Sequence, residues 1–178
     1  MFIAAIVLTS AWFAHDQNSA LIQLAKQTVE AEVAGTAIPT PVTRSEVHPV
    51  FVTIEKNGKV LGCRGGLESR TTSLEDEVIL AARGAAAHDP KYKPLARKDL
   101  SGILVTITIV TGTRPIPSVQ GLEPSDGLVL RHGDRIGIVL PWEGKDPNVR
   151  LMWAYQKAGV PVGASAELWR LVATRSRG

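Results

Sequence analysis

The sequence predicts an α+β fold in which helices pack on a mixed or antiparallel sheet. Two β-hairpin patterns, at 50–61 and 126–140, and helical segments between them lead to this prediction. Strands and helices do not alternate regularly, as a doubly wound parallel sheet would require. With 178 residues, 44% of them hydrophobic, the chain is long enough for one well-packed domain and short for two. We therefore predict a single domain over residues 15–178.

Charge and cysteine content exclude several classes of protein. The 20 Lys and Arg residues and 17 Asp and Glu residues give a formal net charge of +3, and the basic residues are scattered. No nucleic-acid partner is therefore predicted. Arg170, Arg175 and Arg177 lie close together in the sequence, and we interpret them as a solvated end. The single cysteine, Cys63, excludes an intrachain disulfide and leaves a buried thiol, a reactive thiol or an intermolecular link.

Residues 1–14 form an almost wholly apolar run that stops at His15. The run has the length of a signal-peptide apolar region and falls short of the about 20 residues that span a bilayer. Against export, no basic residue precedes the run, although cleavage after Ala11 is sterically acceptable. We predict an exported or N-terminally tethered protein, with membrane contact only if the run is uncleaved. The alternative is a buried helix or strand at the start of a cytoplasmic domain.

The first elements of the domain follow from periodicity and from turn residues. Apolar residues at three-and-four spacing predict a helix that Asn18 or Ser19 caps and Gly35 ends. Pro39 and Pro41 predict an exposed connection after this helix. The next run, 50–61, is a hairpin around the type I′ turn residues at 57 and 58.

The two-residue turn sets a register for this hairpin. Lys56 is expected opposite Lys59 and Val52 opposite Cys63, which places Cys63 inward on an apolar sheet face. Arg64 is then expected opposite Phe51 on the other face, where its guanidinium can meet an anion. Cys63 is either a small core residue or a functional thiol.

A second helix is predicted after a cap at either Ser73 or Thr72, with acidic residues in its first turn, and ends at the sequence His88-Asp89-Pro90. His88 and Asp89 are candidates for an acid/base or metal pair, although no third ligand is apparent. Asp89 has a second interpretation as a residue that caps the following loop.

The second half of the chain is predicted from the same kinds of signal. Alternation predicts a central strand before the prolines at 115 and 117, and Gly133 marks the turn of a second hairpin. Asp146 and Pro147 begin a helix that Gly159 ends, and a last strand follows at 167–174. The sequence contains no phosphate loop, dinucleotide fingerprint, nucleophile elbow, paired-histidine zinc motif or visible repeat, so no metal is predicted.

Taken in order, several segments resemble the AmmeMemoRadiSam system protein A family, also called the AMMECR domain. The stretch at 61–67 resembles the family's Leu-Arg-Gly-Cys-Ile-Gly motif, and the stretch at 89–95 resembles its Asp-Pro-Arg-Phe-x-Pro-Leu motif. The segments that carry the resemblance are Phe51-Val52-Thr53-Ile54, Asn57-Gly58, Leu61-Gly62-Cys63-Arg64-Gly65-Gly66-Leu67, Ala81-Ala82, Ala85-Ala86-Ala87, Asp89-Pro90-Lys91-Tyr92-Lys93-Pro94-Leu95, Asp126-Gly127-Leu128, Leu140-Pro141 and Lys157-Ala158-Gly159.

The resemblance implies an α+β fold with a main lobe, a smaller lobe and a cleft that carries the glycine-cysteine motif. It does not identify a reaction, a cofactor or an oligomeric state. By family association it implies Memo-like proteins and radical SAM enzymes as pathway partners. The sequence departs from the motif because Leu61 stands where the family has Arg and Arg64 stands where it has Ile. On the expected register, this removes a cation from the face of Cys63.

Two functions from different classes remain open. The first is an enzyme or enzyme subunit that binds a small substrate in the cleft, with Cys63 as nucleophile or substrate contact and Arg64 as anion contact. The second is a non-catalytic adaptor that docks a Memo-like partner. In the enzyme, further substrate contacts come from Gly62, Gly65 and Gly66. The acid/base candidates are Glu68, His88 and Asp89.

Overall fold

The computed structural model describes the backbone of residues 4–178 and the side chains of residues 18–178. The helices of this part are α1 (Ala4–Ala34), α2 (Leu74–Ala87) and α3 (Pro147–Ala158), with a short 3-10 turn at Arg97–Asp99. The strands are β1 (Val50–Lys56), β2 (Lys59–Gly65), β3 (Leu104–Ile116), β4 (Gly127–His132), β5 (Arg135–Val139) and β6 (Glu167–Arg177).

These strands form a six-stranded sheet in the order β2-β1-β3-β6-β4-β5. The sheet is antiparallel, which confirms the predicted α+β class. The chain forms two compact units, one of residues up to Ile109 together with Ser176–Gly178, and one of Val110–Arg175. Each unit contains a hydrophobic core in which its own helices pack on its own strands.

Helix α1 begins before the predicted position. The helix is already continuous at Ala4, so the predicted cap at Asn18 or Ser19 is wrong, whereas the predicted end is confirmed by Gly35 with φ 70°. The signal-peptide prediction falls on residues 1–14, of which 4–14 lie in α1 and 1–3 lie outside the described residues, so cleavage stays a prediction. Within the described part of the chain, no helix is long and apolar enough to cross a membrane.

The first hairpin has the predicted turn. Asn57 has φ 52° and Gly58 has φ 75°, as a type I′ turn requires, and Lys56 lies opposite Lys59. On the far side of Glu55, however, the pairing shifts by one residue. The shift is a β-bulge, in which β2 carries one residue more than β1.

The bulge reverses the predicted faces of two site residues. Leu61 is the extra residue, so Cys63 lies opposite Thr53, and Val52 lies opposite Arg64. Val52 is buried in the core that packs on α2, so Arg64 shares the face toward α2 and Cys63 lies on the face away from it. The predictions that Cys63 points to the core and Arg64 points away are therefore wrong. One inserted residue moves every following side chain to the opposite face.

Helix α2 forms where the sequence predicts it and packs closely on the hairpin. The hydroxyl of Ser73 accepts a hydrogen bond from the backbone N–H of Asp76 at 3.2 Å, which confirms the predicted cap. Small side chains line the face that meets the sheet: Ala81, Ala82 and Ala85. A Cβ atom at Gly62 would lie 2.0 Å from the carbonyl oxygen of Ala85, so only glycine allows this approach.

The central strand is longer than predicted. β3 continues through Pro115 to Ile116, so the predicted break at Pro115 is wrong, and the strand ends directly before Pro117. Beyond Ile109, β3 no longer pairs with β1, and a proline there removes no hydrogen bond to that neighbour. The second hairpin is confirmed between β4 and β5, and Asp146 caps α3 while Gly159 ends it with φ 66°. The last strand extends three residues beyond the predicted end.

The order hairpin, helix, strand occurs twice, although the sequence shows no repeat. The first copy is β1-β2-α2-β3 and the second is β4-β5-α3-β6, and in each copy the last strand neighbours the first. In each copy the second strand of the hairpin packs a glycine on a helix carbonyl. The Cβ distances are 2.0 Å from Gly62 to Ala85 and 1.9 Å from Gly137 to Ala154. Residues of the two copies can therefore be compared at equivalent positions.

Candidate functional site

Cys63 lies on the face of β2 that points away from α2. The hydroxyl of Thr53, directly opposite on β1, donates a hydrogen bond to Sγ of Cys63 at 3.2 Å. Cys63 and Thr53 are both half-buried. A hydroxyl that donates to sulfur stabilises the charge of a thiolate, which is the reactive form of cysteine. The bulge thus gives the only thiol of the chain a polar neighbour that the predicted register would have denied it.

Asp89 fixes the backbone at Cys63. Its Oδ2 accepts a hydrogen bond from the backbone N–H of Cys63 at 2.8 Å, and its Oδ1 accepts one from the N–H of Lys91 at 2.8 Å. Asp89 is 9% exposed. Because both oxygens hold backbone donors, Asp89 acts as a clamp between the outermost strand and the loop after α2, as its second interpretation expects.

Arg64 and the neighbouring glycines are explained by close packing. The side chain of Arg64 lies over Gly84 of α2, where a Cβ atom would be 3.1 Å from Cβ of Arg64. A Cβ atom at Gly65 would lie 2.2 Å from the carbonyl oxygen of Val50, and the same oxygen accepts the N–H of Gly66 at 3.3 Å. The predicted contacts of these residues with a substrate stay predictions.

The loop after β2 is held by a buried carboxylate that was not among the predicted site residues. Oε1 of Glu77, in α2, accepts hydrogen bonds from the backbone N–H groups of Arg70 and Thr71. Glu77 is 1% exposed, whereas the candidate acid/base residue Glu68 is exposed in the same loop. Glu77 therefore orders the loop, and Glu68 remains accessible to solvent.

His88 does not converge with Asp89. Its Nε2 lies 3.2 Å from Oε1 of Glu32 in α1, and Oε2 of Glu32 accepts a hydrogen bond from Arg83 at 2.6 Å. No group of three or more His, Cys, Asp and Glu side chains among the described residues could hold a metal ion. His88 thus belongs to an ion-pair cluster between α1 and α2.

The cluster predicts how stability depends on pH. The hydrogen bond from Arg83 lowers the pKa of Glu32 below its ordinary value of 4.5, against the effect of burial, and His88 adds to the lowering. The stabilisation is therefore present above pH 4.5 and is lost as the pH falls through the lowered pKa. We expect Arg83→Gln to lower the urea midpoint at pH 7 and to have no effect at pH 2. Urea titrations across this range test the expectation, and a difference that is constant with pH would contradict it.

A row of side chains extends from Cys63 across the sheet. Thr53 lies opposite Cys63 on one side and opposite Thr106 of β3 on the other. Side chains of directly opposed residues share a face, so the three lie in line. Thr106 is 3% exposed, and its hydroxyl has no hydrogen-bond partner among the described residues. A buried hydroxyl without a partner costs about 1–3 kcal/mol.

Arg177 of β6 completes this row. The N–H of Val105 donates to the carbonyl oxygen of Gly178 at 2.8 Å, and the N–H of Gly178 donates back at 3.0 Å. This antiparallel pair places Arg177 opposite Thr106. We call Cys63, Thr53, Thr106 and Arg177 the polar row.

The side chain of Arg177 crosses the strand that carries Thr106. Its Nη2 donates to Oε2 of Glu55 at 2.9 Å, and Glu55 lies on β1, two residues from Thr53 and on the same face. To reach β1 from β6, the side chain passes over β3, the strand that carries Thr106. Arg177 was not among the predicted site residues, because the last strand was predicted to end at 174 and Arg177 to lie in a solvated tail.

The second copy of the repeat has an apolar row at the equivalent positions. Gly137 corresponds to Gly62, so the next residue, Ile138, corresponds to Cys63. Ile138 lies opposite Val129, and Val129 lies opposite Trp169. The same topology therefore folds with hydrophobic side chains in this row, and the polar side chains of the first copy are not a requirement of the fold.

Comparisons with known proteins place the chain in a family. A model of the AMMECR1 family matches residues 22–174. A protein of Methanothermobacter thermautotrophicus is 31% identical over 163 residues, which are 82% of this chain and 84% of the relative. A protein of Aeropyrum pernix is 30% identical over 161 residues, 81% of this chain and 69% of the relative.

The fold is similar to a solved structure. The crystal structure of the uncharacterized protein PH0010 from Pyrococcus horikoshii has a TM-score of 0.75, with 23% sequence identity. The match covers 88% of this chain and 89% of that chain. Because the family model matches residues 22–174, the chain belongs to the AMMECR1 family, a family of uncharacterised function.

Proposed function

We propose that the chain is a thiol-dependent enzyme, or the thiol-bearing subunit of one, that acts on a small carbonyl compound at Cys63. The observation that carries this proposal is the hydrogen bond from the Thr53 hydroxyl to Sγ of Cys63. The half-buried thiol lies away from the helix-packed core, and Asp89 holds its backbone in place. A fixed, partly accessible thiol with a hydroxyl neighbour has the features of a nucleophile.

The step proposed for Cys63 is addition to the carbonyl carbon. The thiol first releases its proton to solvent, and the thiolate then forms a C–S bond as the C=O π bond breaks. The carbonyl oxygen receives the electron pair and takes up a proton from solvent. As the C–S bond forms, the sulfur loses its negative charge, and the hydroxyl of Thr53 can donate its hydrogen bond to the developing oxyanion instead. Resemblance to the system protein A family supports a place for this reaction beside Memo-like and radical SAM proteins.

The reactivity of the thiol tests this proposal. Because Cys63 is the only cysteine, iodoacetamide labelling followed by intact mass reports on this site alone. We expect Cys63 at pH 7 to be labelled faster in the native protein than in the urea-unfolded chain. Thr53→Val should lower the native labelling rate about tenfold. Valine keeps the shape of threonine and removes the hydroxyl, so the variant isolates the hydrogen bond.

An inert thiol would overturn the proposal. If native Cys63 reacts no faster than the unfolded chain, and Thr53→Val has no effect, the thiol is not a nucleophile. The close packing of Gly62 and Gly65 would then be the main role of the motif. That result would favour a non-catalytic adaptor, which should form a complex when coexpressed with a Memo-like protein.

A further inference from the structure

The polar row contains a buried hydroxyl whose presence folding does not explain. Thr106 is almost fully buried and its hydroxyl has no partner among the described residues, whereas the second copy places Trp169 at the equivalent position. Burial of a hydroxyl without a partner opposes folding. A buried hydroxyl without a partner, at a position that takes an apolar side chain in the other copy, requires an explanation other than folding, and a bound ligand provides one.

Arg177 covers this row through an exposed ion pair. The side chains of Arg177 and Glu55 are 43% and 18% exposed, so water screens their attraction. Such a pair opens at little cost in free energy. When Arg177 releases Glu55, its side chain can stay extended over β3 and hold another carboxylate near β1, the strand that lies between Thr106 and Cys63.

We propose that the polar row binds a small molecule with a carboxylate, which replaces Glu55 on Arg177 while its electrophilic carbon lies at Cys63. This inference rests on the proposed function, because it names the substrate class of the same thiol. The carboxylate is chosen because Arg177 already holds the carboxylate of Glu55. Guanidinium groups bind carboxylates through two parallel N–H donors, of which the hydrogen bond to Glu55 uses one nitrogen. The hydroxyl of Thr106, which has no partner among the described residues, supplies a further donor beneath the bound carboxylate.

Two thiol reagents of similar size and different charge test the proposal. Iodoacetate carries a carboxylate and iodoacetamide carries a neutral amide. In both reactions the thiolate of Cys63 forms an S–C bond, the C–I bond breaks and iodide leaves. The measurement is the ratio of the two second-order rate constants, because changes in thiolate reactivity affect both reagents and cancel in the ratio.

We expect Arg177→Gln to lower the ratio of iodoacetate to iodoacetamide rates about fivefold, since it removes the cation that attracts the carboxylate. Glu55→Gln should raise the ratio, because it removes the competing carboxylate. Thr106→Val should lower it. The matched control is Arg83→Gln, which removes an arginine of similar exposure, 45%, from an ion pair between α1 and α2. This control should leave the ratio unchanged.

The outcomes separate the two proposals. A thiol that reacts rapidly with iodoacetamide, with a ratio that is the same in Arg177→Gln and in the unchanged chain, overturns the carboxylate site and leaves the proposed function standing. A thiol that is inert to both reagents overturns both. Circular dichroism of each variant establishes that the ratio is measured on folded protein, and Arg177→Lys, which keeps the charge, should retain most of the wild-type ratio.

Discussion

Gly62→Ala is expected to destabilise the protein by about 3–5 kcal/mol, because the added methyl group overlaps the backbone of α2. The added Cβ would lie 2.0 Å from the carbonyl oxygen and 3.0 Å from the carbonyl carbon of Ala85. Both atoms belong to the backbone of α2, so no side chain can rotate to relieve the overlap. The helix must move away from β2, and the buried contacts of the core are lost with it. Urea unfolding followed by circular dichroism measures the change.

Gly66→Ala is the matched control for this substitution. Gly66 lies in the same glycine-rich stretch, but a Cβ atom there meets nothing closer than 3.6 Å, from the carbonyl oxygen of Glu68. We expect a change below about 1 kcal/mol. Gly137→Ala, at the equivalent position of the second copy, should resemble Gly62→Ala, because its Cβ would lie 1.9 Å from the oxygen of Ala154. Equal stability of Gly62→Ala and Gly66→Ala would contradict the close approach of β2 and α2.

Arg150→Met is expected to cost about 3 kcal/mol in the second unit. Arg150 is fully buried in α3, and its guanidinium donates to the carbonyl oxygens of Glu123, at 3.0 Å, and Asp126. Burial lowers the pKa of Arg150, and the charges of Asp126 and Glu143 oppose this effect. Methionine retains much of the apolar stem and removes both donors, so two carbonyl groups lose their partner. The free energy of unfolding in urea reports the loss.

The loop before β4 is the part that should respond first. Asp126 accepts the N–H of Glu123 at 2.9 Å, so the guanidinium of Arg150 holds a turn that is also closed by a side chain. Hydrogen exchange of the Glu123 amide should accelerate in Arg150→Met. Arg114→Met is the control, because Arg114 is exposed on β3, and we expect a change within about 0.5 kcal/mol. Similar losses for the two variants would contradict the role of the buried guanidinium.

Several turns and caps could be predicted from the sequence because their chemistry is local, although the predicted cap of α1 was wrong. Asn57 and Gly58 specify a positive-φ turn wherever they stand between two strands, and Ser73 and Asp146 supply side-chain acceptors to the first turn of a helix. The end of α1 at Gly35 is of the same kind. Each of these features depends on a few neighbouring residues, and the structure confirms each of them.

The bulge at Leu61 could not be predicted because its cause is not local. A regular hairpin and a bulged hairpin have the same turn, and the choice depends on how β2 meets α2. In the observed register Gly62 faces Ala85, whereas a regular register would place Leu61 at that position. A carbonyl oxygen 2.0 Å from a Cβ atom leaves no room for leucine. Helix packing thus decides the face on which Cys63 lies.

The sequence therefore predicted the motif at the centre of the candidate site, but neither the geometry of the site nor its other side chains. The motif around Cys63 was identified from the sequence, but its partner Thr53 was expected on the opposite face. Arg177 was excluded because nothing in the local sequence shows that β6 continues to the end of the chain. Its place depends on pairing with Thr106 of β3, which lies 71 residues earlier in the sequence, and on the ion pair with Glu55.

The clamp at Asp89 also bears on how molecules of this protein meet one another. β2 is an outermost strand, and such strands present free N–H groups to which a strand of another molecule can add. At Cys63 the N–H is already taken by a carboxylate, whose negative charge repels an approaching carbonyl oxygen. The residue that orders the backbone beside the thiol thereby also protects the sheet against intermolecular strand addition and aggregation.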